Sequence, residues 1–342
     1  MKRKNSSNLP QNNMKINKEK KDNGGLIISL DFELLWGVFD VVDFNKKREY
    51  FENTRRTIPK ILDLFKKYKI KATWATVGML FNQNWEEWEQ NIPTLIPKYN
   101  NQNLSAYEFG KSVKSRRTEE LCFAPDLIKL ISDFSGQEIA THTYSHYYCL
   151  EPGQTKDEFS WDIKTAISMA DKFDLKMSSL VFPRNQLKPD YLEICQGLGV
   201  TNVRSNPSSW YWKDSNSNSL FTKIARTGDA YAPLGKKSYS RKDLKKVKDL
   251  PLQQKASRFL RPVESNEILR KAKLQRIMQE LEIAAKNREY YHLWWHPHNF
   301  GEQPRQSLED LEFILKHYSY LHSRYEFLSE NMEGIGKIIY KS

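Results

Sequence analysis

Gly25-Leu-Ile-Ile-Ser-Leu-Asp31-Phe-Glu33 is a short apolar run that ends on two acids. It reads as a buried strand, Leu26–Leu30, which delivers Asp31 and Glu33 at its far end. Downstream, Ile58, Ile61, Leu62 and Phe65 recur at i, i+3, i+4 and i+7, with Pro59 tolerated in the first turn, and predict a helix. Ala72-Thr-Trp-Ala-Thr-Val77 is again β-rich and stops at Gly78. Strand, helix, strand is the βαβ unit of a parallel sheet.

The same alternation continues along the chain. Helices are expected at Pro125–Phe134, Asp157–Phe173 and Pro189–Leu198, with Gly199 as a stop. Strands are expected at Glu138–Thr141, Met177–Phe182, Thr201–Arg204 and Tyr290–Trp295. Leu308, Leu311, Ile314, Leu315 and Tyr318 mark a final amphipathic helix. Strands alternating with helices over this length predict an α/β fold, most naturally a closed (β/α) barrel. Residues 82–124 and 205–265 are polar, rich in Trp, Asn, Ser and Lys, and weakly periodic, so they are expected as long loops or insertions. Residues 1–23 read as a disordered basic tail and 24–335 as one barrel domain.

Charge and cysteine content narrow the setting. The chain has 342 residues and a formal charge of +12, and most of the excess sits in two stretches. Residues 1–22 and 236–249 each carry seven Lys or Arg against two acids. These are solvated segments or a lure for an anionic partner, such as a carrier-linked sugar or an acidic membrane face. Neither stretch interleaves its charges with stacking aromatics, which argues against nucleic acid. Apolar runs stay well short of the ~18 residues a membrane-spanning helix needs. The start of the chain has no apolar centre of the kind a secretory signal carries. Cys122, Cys149 and Cys195 are an odd, scattered set, which suits a reducing compartment. The expected location is cytoplasmic, peripheral at the inner membrane face if the basic segments touch lipid.

The chemistry concentrates where strands end. Side chains alternate along a strand, so Asp31 and Glu33 share a face and can converge on one ion or one water. A lone Asp-x-Glu reads more readily as a cap for the next helix or a solvated turn. His142-Thr-Tyr-Ser-His146 places two imidazoles at i and i+4, which in a helical turn puts both on one side at a metal-binding spacing. Two histidines and a carboxylate leave coordination positions open, as a hydrolytic site requires. His296, at the end of the Tyr290–Trp295 run, has an aromatic setting suited to acid/base work. His292 and His298 weigh toward structural roles or substrate contact.

These pieces, with Val181-Phe-Pro183-Arg184 and Leu293-Trp-Trp-His296, occur in the order of the motifs of the polysaccharide deacetylase family, which the chain resembles across residues 25–330. The resemblance implies an irregular barrel and hydrolysis of an acetyl group on a sugar. It also implies a divalent metal, zinc ahead of cobalt, nickel, manganese or iron. It makes His142 and His146 metal ligands, His296 the general acid and Asp31 the base. The family has adjacent aspartates at its first motif, whereas here Phe32 intervenes and Glu33 becomes the displaced ligand, as in a divergent branch. The family's Arg precedes a Pro pair, while Arg184 follows Pro183, which leaves its part in orienting the base or binding substrate open. Asp229 is the candidate to orient His296. Arg204 and Trp210 are candidates to line the substrate site, and the backbone N–H of Tyr147 to hold an oxyanion.

The expected function is a metal-dependent N-deacetylase in surface polysaccharide or glycan biosynthesis, acting on a nucleotide- or lipid-linked amino sugar. Two rivals remain at this stage. One is a metal-independent amidohydrolase or deformylase on the same scaffold. The other is a non-catalytic glycan- or carrier-binding protein.

Overall fold

All eight residues of the first strand, β1 (Gly25–Phe32), are buried, as befits a strand in a parallel sheet covered on both faces. The computed structural model describes residues 23–207, 228–229 and 235–341. Leu26, Ile28, Leu30 and Phe32 face outward into the main core, where they meet Ile58, Ile61, Leu62 and Phe65 of the helix Arg48–Lys67. Ile27 faces the other way and packs with Ala75, Val181, Leu252, Tyr290 and Met332. Ser29 and Asp31 share its face by alternation.

β1 is followed by β2 (Ala72–Thr76), β3 (Gln137–Thr141), β4 (Ser179–Val181), β5 (Asn202–Ser205), β6 (Leu252–Lys255), β7 (Arg258–Phe259), β8 (Tyr290–Trp295) and β9 (Leu328–Glu330). The sheet order is β6-β5-β4-β3-β2-β1-β8-β7, with β9 added beside β1. All of these pairings are parallel. Closure comes from one bent segment. The N–H of Ala256 donates to Ser205 at one edge, and the N–H of the next residue, Ser257, donates to His292 at the other. The two edges are thus joined covalently, and the sheet curls into an irregular (β/α) barrel. The helix Met332–Tyr340 supplies Met332, Ile335 and Ile339 to the apolar cluster around Ile27 and closes that end.

Several elements depart from the sequence reading. The helix before β2 starts at Arg48, so Pro59 lies inside it and not in the first turn. A proline there has no N–H to give the preceding turn. Helices Glu267–Asn287 and Met332–Tyr340 add to those read from periodicity, so the helix Pro304–Tyr325 is not the last. Within residues 82–124 lie helices Trp85–Gln90, Ala106–Val113 and Glu119–Cys122. Their aromatics close on Trp36, which lies 6.0 Å from Trp85 and 6.2 Å from Trp88 between ring centroids. The Trp36 indole N–H donates to the Cys122 carbonyl at 2.6 Å. Within 205–265, β6 and β7 are strands of the sheet itself.

Candidate active site

β1 ends at Phe32, and the chain turns at once. Glu33 precedes a short 3-10 helix, Leu34–Gly37, which Leu34 enters with a left-handed φ of 44°. This folds the backbone of Gly37 against the Glu33 side chain. A Cβ on Gly37 would lie 1.9 Å from the Glu33 carboxyl carbon, so any larger residue there would displace that carboxylate.

His142 and His146 follow β3 in an irregular loop, not in the helical turn their spacing suggested. Thr143 and His146 take left-handed φ of 64° and 55°, a conformation that costs a non-glycine residue roughly 1–2 kcal/mol. Local hydrogen bonds offset that cost. Thr143 Oγ1 accepts from the Tyr147 N–H at 2.7 Å, and Thr141 Oγ1 accepts from the Thr143 N–H at 3.0 Å. Buried Asp162 accepts from the N–H groups of Tyr144 and Ser145 at 2.6 and 3.1 Å, and from the Ser145 hydroxyl. Burial pushes the Asp162 carboxyl up to about 6 despite these bonds.

The loop aims both imidazoles at Glu33. Nε2 of His142 lies 3.3 Å and Nε2 of His146 3.2 Å from Glu33 Oε2, all three side chains being buried. His142 Nδ1 donates to the Val181 carbonyl at 2.8 Å, which leaves Nε2 free to ligate. That Nε2 has no hydrogen-bond partner. A lone pair facing a carboxylate across 3.3 Å is repulsive unless a cation or proton lies between them. The three ligand atoms all fall within 4.8 Å of one another. A tetrahedral ion with arms of about 2.1 Å separates its ligands by roughly 3.4 Å, so the donor set fits a divalent metal. His146 Nδ1 sits 3.2 Å from the Tyr148 hydroxyl, which serves as its outer partner. Burial lowers the His146 pKa, and Glu33 opposes that shift. Burial would raise Glu33, but nearby His296, with the close imidazoles of His142 and His146, holds it well below the usual carboxylate value.

Asp31 stands beside this cluster. Arg204, from β5, grips it with two bonds, Nη1 to Oδ1 at 2.6 Å and Nη2 to Oδ2 at 2.7 Å. Arg204 also donates to Ser29 Oγ and Asn185 Oδ1 and stacks 4.2 Å over the Trp294 ring. Burial pulls the Asp31 pKa up, yet Arg204 together with His142 and His296 outweighs it, and the carboxyl stays below its ordinary value. His292 Nε2 lies 2.8 Å from Ser29 Oγ, and burial and the Arg204 charge push His292 down to about 3. His296 Nε2 is 3.7 Å from both Asp31 Oδ2 and Glu33 Oε1. Its side chain is 24 % exposed where Asp31 and Glu33 are 3 % exposed, so it is the member of this set that reaches outward. His298 Nδ1 lies 3.6 Å from Glu33 Oε1, and burial pushes it down to about 3.

Other expected residues go elsewhere. Asp229 pairs with Lys237 at 2.9 Å and Arg258 at 3.7 Å, so its charge is engaged there and it has no described contact with His296. The Tyr147 N–H is bonded to Thr143, which removes it as an oxyanion donor, and the Tyr147 side chain is buried against Phe159. Arg184 pairs with Asp40 at 2.6 Å and lies over Tyr148, so it does not reach Asp31. Arg204 was expected to line the substrate site and instead holds Asp31. Trp210 lies outside the described residues. Sequence reasoning missed the closeness of His298 to Glu33, although its place two residues after His296 was a signal.

Set against known proteins, residues 39–203 match the polysaccharide deacetylase family model. That span contains His142 and His146 but not Asp31, Glu33, Arg204 or His296. No curated protein sequence matches the chain. Among solved structures, the chain is similar to a Mycobacterium smegmatis protein assigned to the polysaccharide deacetylases. The TM-score is 0.59 at 11% identity, over 93% of this chain and 91% of that one. It is also similar to a Pseudomonas aeruginosa PAO1 protein with the same assignment, at TM-score 0.52 and 10% identity over 93% and 90%. The Puue allantoinase gives TM-score 0.52 at 9% identity over 93% and 90%. At these identities the likeness is one of fold.

Proposed function

We propose that the chain, which carries a polysaccharide deacetylase domain over residues 39–203, removes the acetyl group of an N-acetylated amino sugar by metal-assisted hydrolysis. The observation behind this reading is the convergence of Glu33, His142 and His146 on one buried point, with Asp31 and His296 flanking the same carboxylate. Those three residues would hold the ion, zinc first among the divalent metals. Bound there, it would supply Lewis acidity toward the acetyl carbonyl and lower the pKa of a water to about 7.

The chain's own residues do the rest. Asp31 stays ionised because Arg204 neutralises the cost of burying it, and it takes a proton from the attacking water. Arg204 fixes both carboxylate oxygens, so the base cannot swing away from the reacting centre. As the carbon–nitrogen bond breaks, His296 gives a proton to the sugar amine, otherwise a poor leaving group. The products are acetate and the free amine. Phe259, half-buried and 5.6 Å from His296 between ring centroids, offers apolar surface for a sugar ring.

The substrate in this reading is a carrier-linked amino sugar of glycan assembly. Lys242, Lys245, Lys246 and Lys248 are exposed on the basic stretch and suit an anionic carrier or membrane face. No helix of the described residues is long and apolar enough to cross a membrane. The test is acetate release from a panel of acetamido sugars, free and carrier-linked, before and after chelation. Release that chelation stops and zinc restores supports the reading. Full activity in metal-free protein removes the metal, and no release from any substrate removes the deacetylase.

A further inference from the structure

His298 is a buried imidazole that the chemistry above leaves unused. Pro297–Phe300 forms a 3-10 turn directly after β8 and folds the chain back, so His298 lies on the same side as His296. The two rings stack 4.9 Å apart with planes 10° from parallel. His298 Nδ1 is buried, has no hydrogen-bond partner and lies 3.6 Å from Glu33 Oε1. That gap is roughly 0.7 Å beyond a hydrogen bond.

The Glu33 carboxylate is divided between two sets of neighbours. Oε2 faces His142 and His146, while Oε1 faces His296 and His298. Gly37 presses on the same side chain, leaving it no room on that flank. His298 is absent from the set whose ligand atoms fall within 4.8 Å of one another. It therefore addresses the carboxylate and not the ion.

We propose that His298 is a positioning residue for the metal. With the ion bound, its Nδ1–H would close the 3.6 Å gap to Glu33 Oε1, so that Oε2 alone is presented with His142 and His146. This rests on the metal-dependent reading above. The physical reason is general: a ligating carboxylate without an outer hydrogen bond rotates among several poses, and the ion must spend binding energy to fix one. Ring stacking on His296 fixes the His298 plane, and the 3-10 turn keeps Nδ1 close to that oxygen. The role resembles that of the Tyr148 hydroxyl beside His146 Nδ1, at the opposite side of the same ligand set.

The test is zinc affinity of the full chain, measured by competition with a chromophoric chelator, for wild type, His298→Ala and His298→Asn. The alanine variant is expected to bind about 10- to 100-fold more weakly. Asparagine, which returns an N–H near the Nδ1 position, is expected to recover most of that loss. With cobalt(II) in place of zinc, the visible spectrum of each loaded variant should match wild type, because the ligand set is unchanged. Wild-type affinity in His298→Ala overturns the proposal, as does a His298→Asn protein no better than alanine. A cobalt spectrum altered by His298→Ala overturns it in favour of direct ligation. A wild-type protein that binds no zinc overturns both this and the metal-dependent reading, whereas zinc binding without acetate release leaves the positioning role standing and removes only the deacetylase.

Discussion

The two ends of the barrel interior lie on the same strands and have opposite chemistry. On the inner face of β1, Ile27 packs with the apolar side chains of Leu252, Tyr290, Met332, Ile335 and Ile339. Four residues on, a rise of roughly 13 Å, Asp31 sits among Arg204, His296 and the Glu33 cluster. The apolar end gains stability from every group it buries. The polar end carries buried charge, which costs several kcal/mol for each unpaired ion. Asp31 has Arg204 as its counter-charge, and Glu33 has imidazoles around both oxygens, a set that a divalent cation would balance. The lesson is that one end can be tuned for chemistry because the other holds the barrel closed.

Substitutions should separate the two ends. The largest effect is expected from His142→Ala, which should lose bound metal and activity together, on the order of 10⁴-fold. Metal analysis and acetate release on the same sample check this. Asp31→Asn should keep metal and fold while activity falls by about 10²- to 10⁴-fold. Turnover near wild type would remove Asp31 from the base role. Ile27→Ala should do the reverse, costing about 2–5 kcal/mol of stability in urea unfolding while turnover per folded molecule holds. A comparable loss of turnover would show that the ends are coupled.

A smaller effect belongs to Asp162, which braces the His142–His146 loop. Its folded pKa, about 6, lies above the ordinary 3.8, so the fold favours the protonated form. Its stabilising share is complete below about pH 4 and is lost as pH rises through about 6, a change on the order of 2–3 kcal/mol. Asp162→Asn has nothing to ionise there. Its stability relative to wild type should therefore improve between pH 4 and pH 7, and parallel urea curves at the two pH values would contradict that.

The strands were legible because a parallel strand buried on both faces has a continuous apolar signature, as in Leu26–Leu30 and Tyr290–Trp295. The paired carboxylates and histidines were legible because they follow such runs. Other features depend on tertiary geometry. The 173 positions between Arg204 and Asp31 carry no local trace of their pairing. The i, i+4 histidine spacing pointed to the right partners through the wrong backbone, since two left-handed residues do the work of a helical turn. Residues 82–124 read as loop because their short helices are held by contacts with Trp36 and not by their own periodicity. β6 and β7 were hidden for a related reason: strands of four and two residues inside a polar stretch are too short to show a pattern.

The peptide bond between Ala256 and Ser257 is where the barrel's seam is sewn, since each residue hydrogen-bonds to a different edge of the sheet. A protease cut there would leave two facing strand margins held by packing and by cross-barrel bonds such as that of Arg204 to Asp31. Bare margins of that kind recruit strands from neighbouring molecules. This single link therefore guards the protein against self-association as much as it shapes the rim above it.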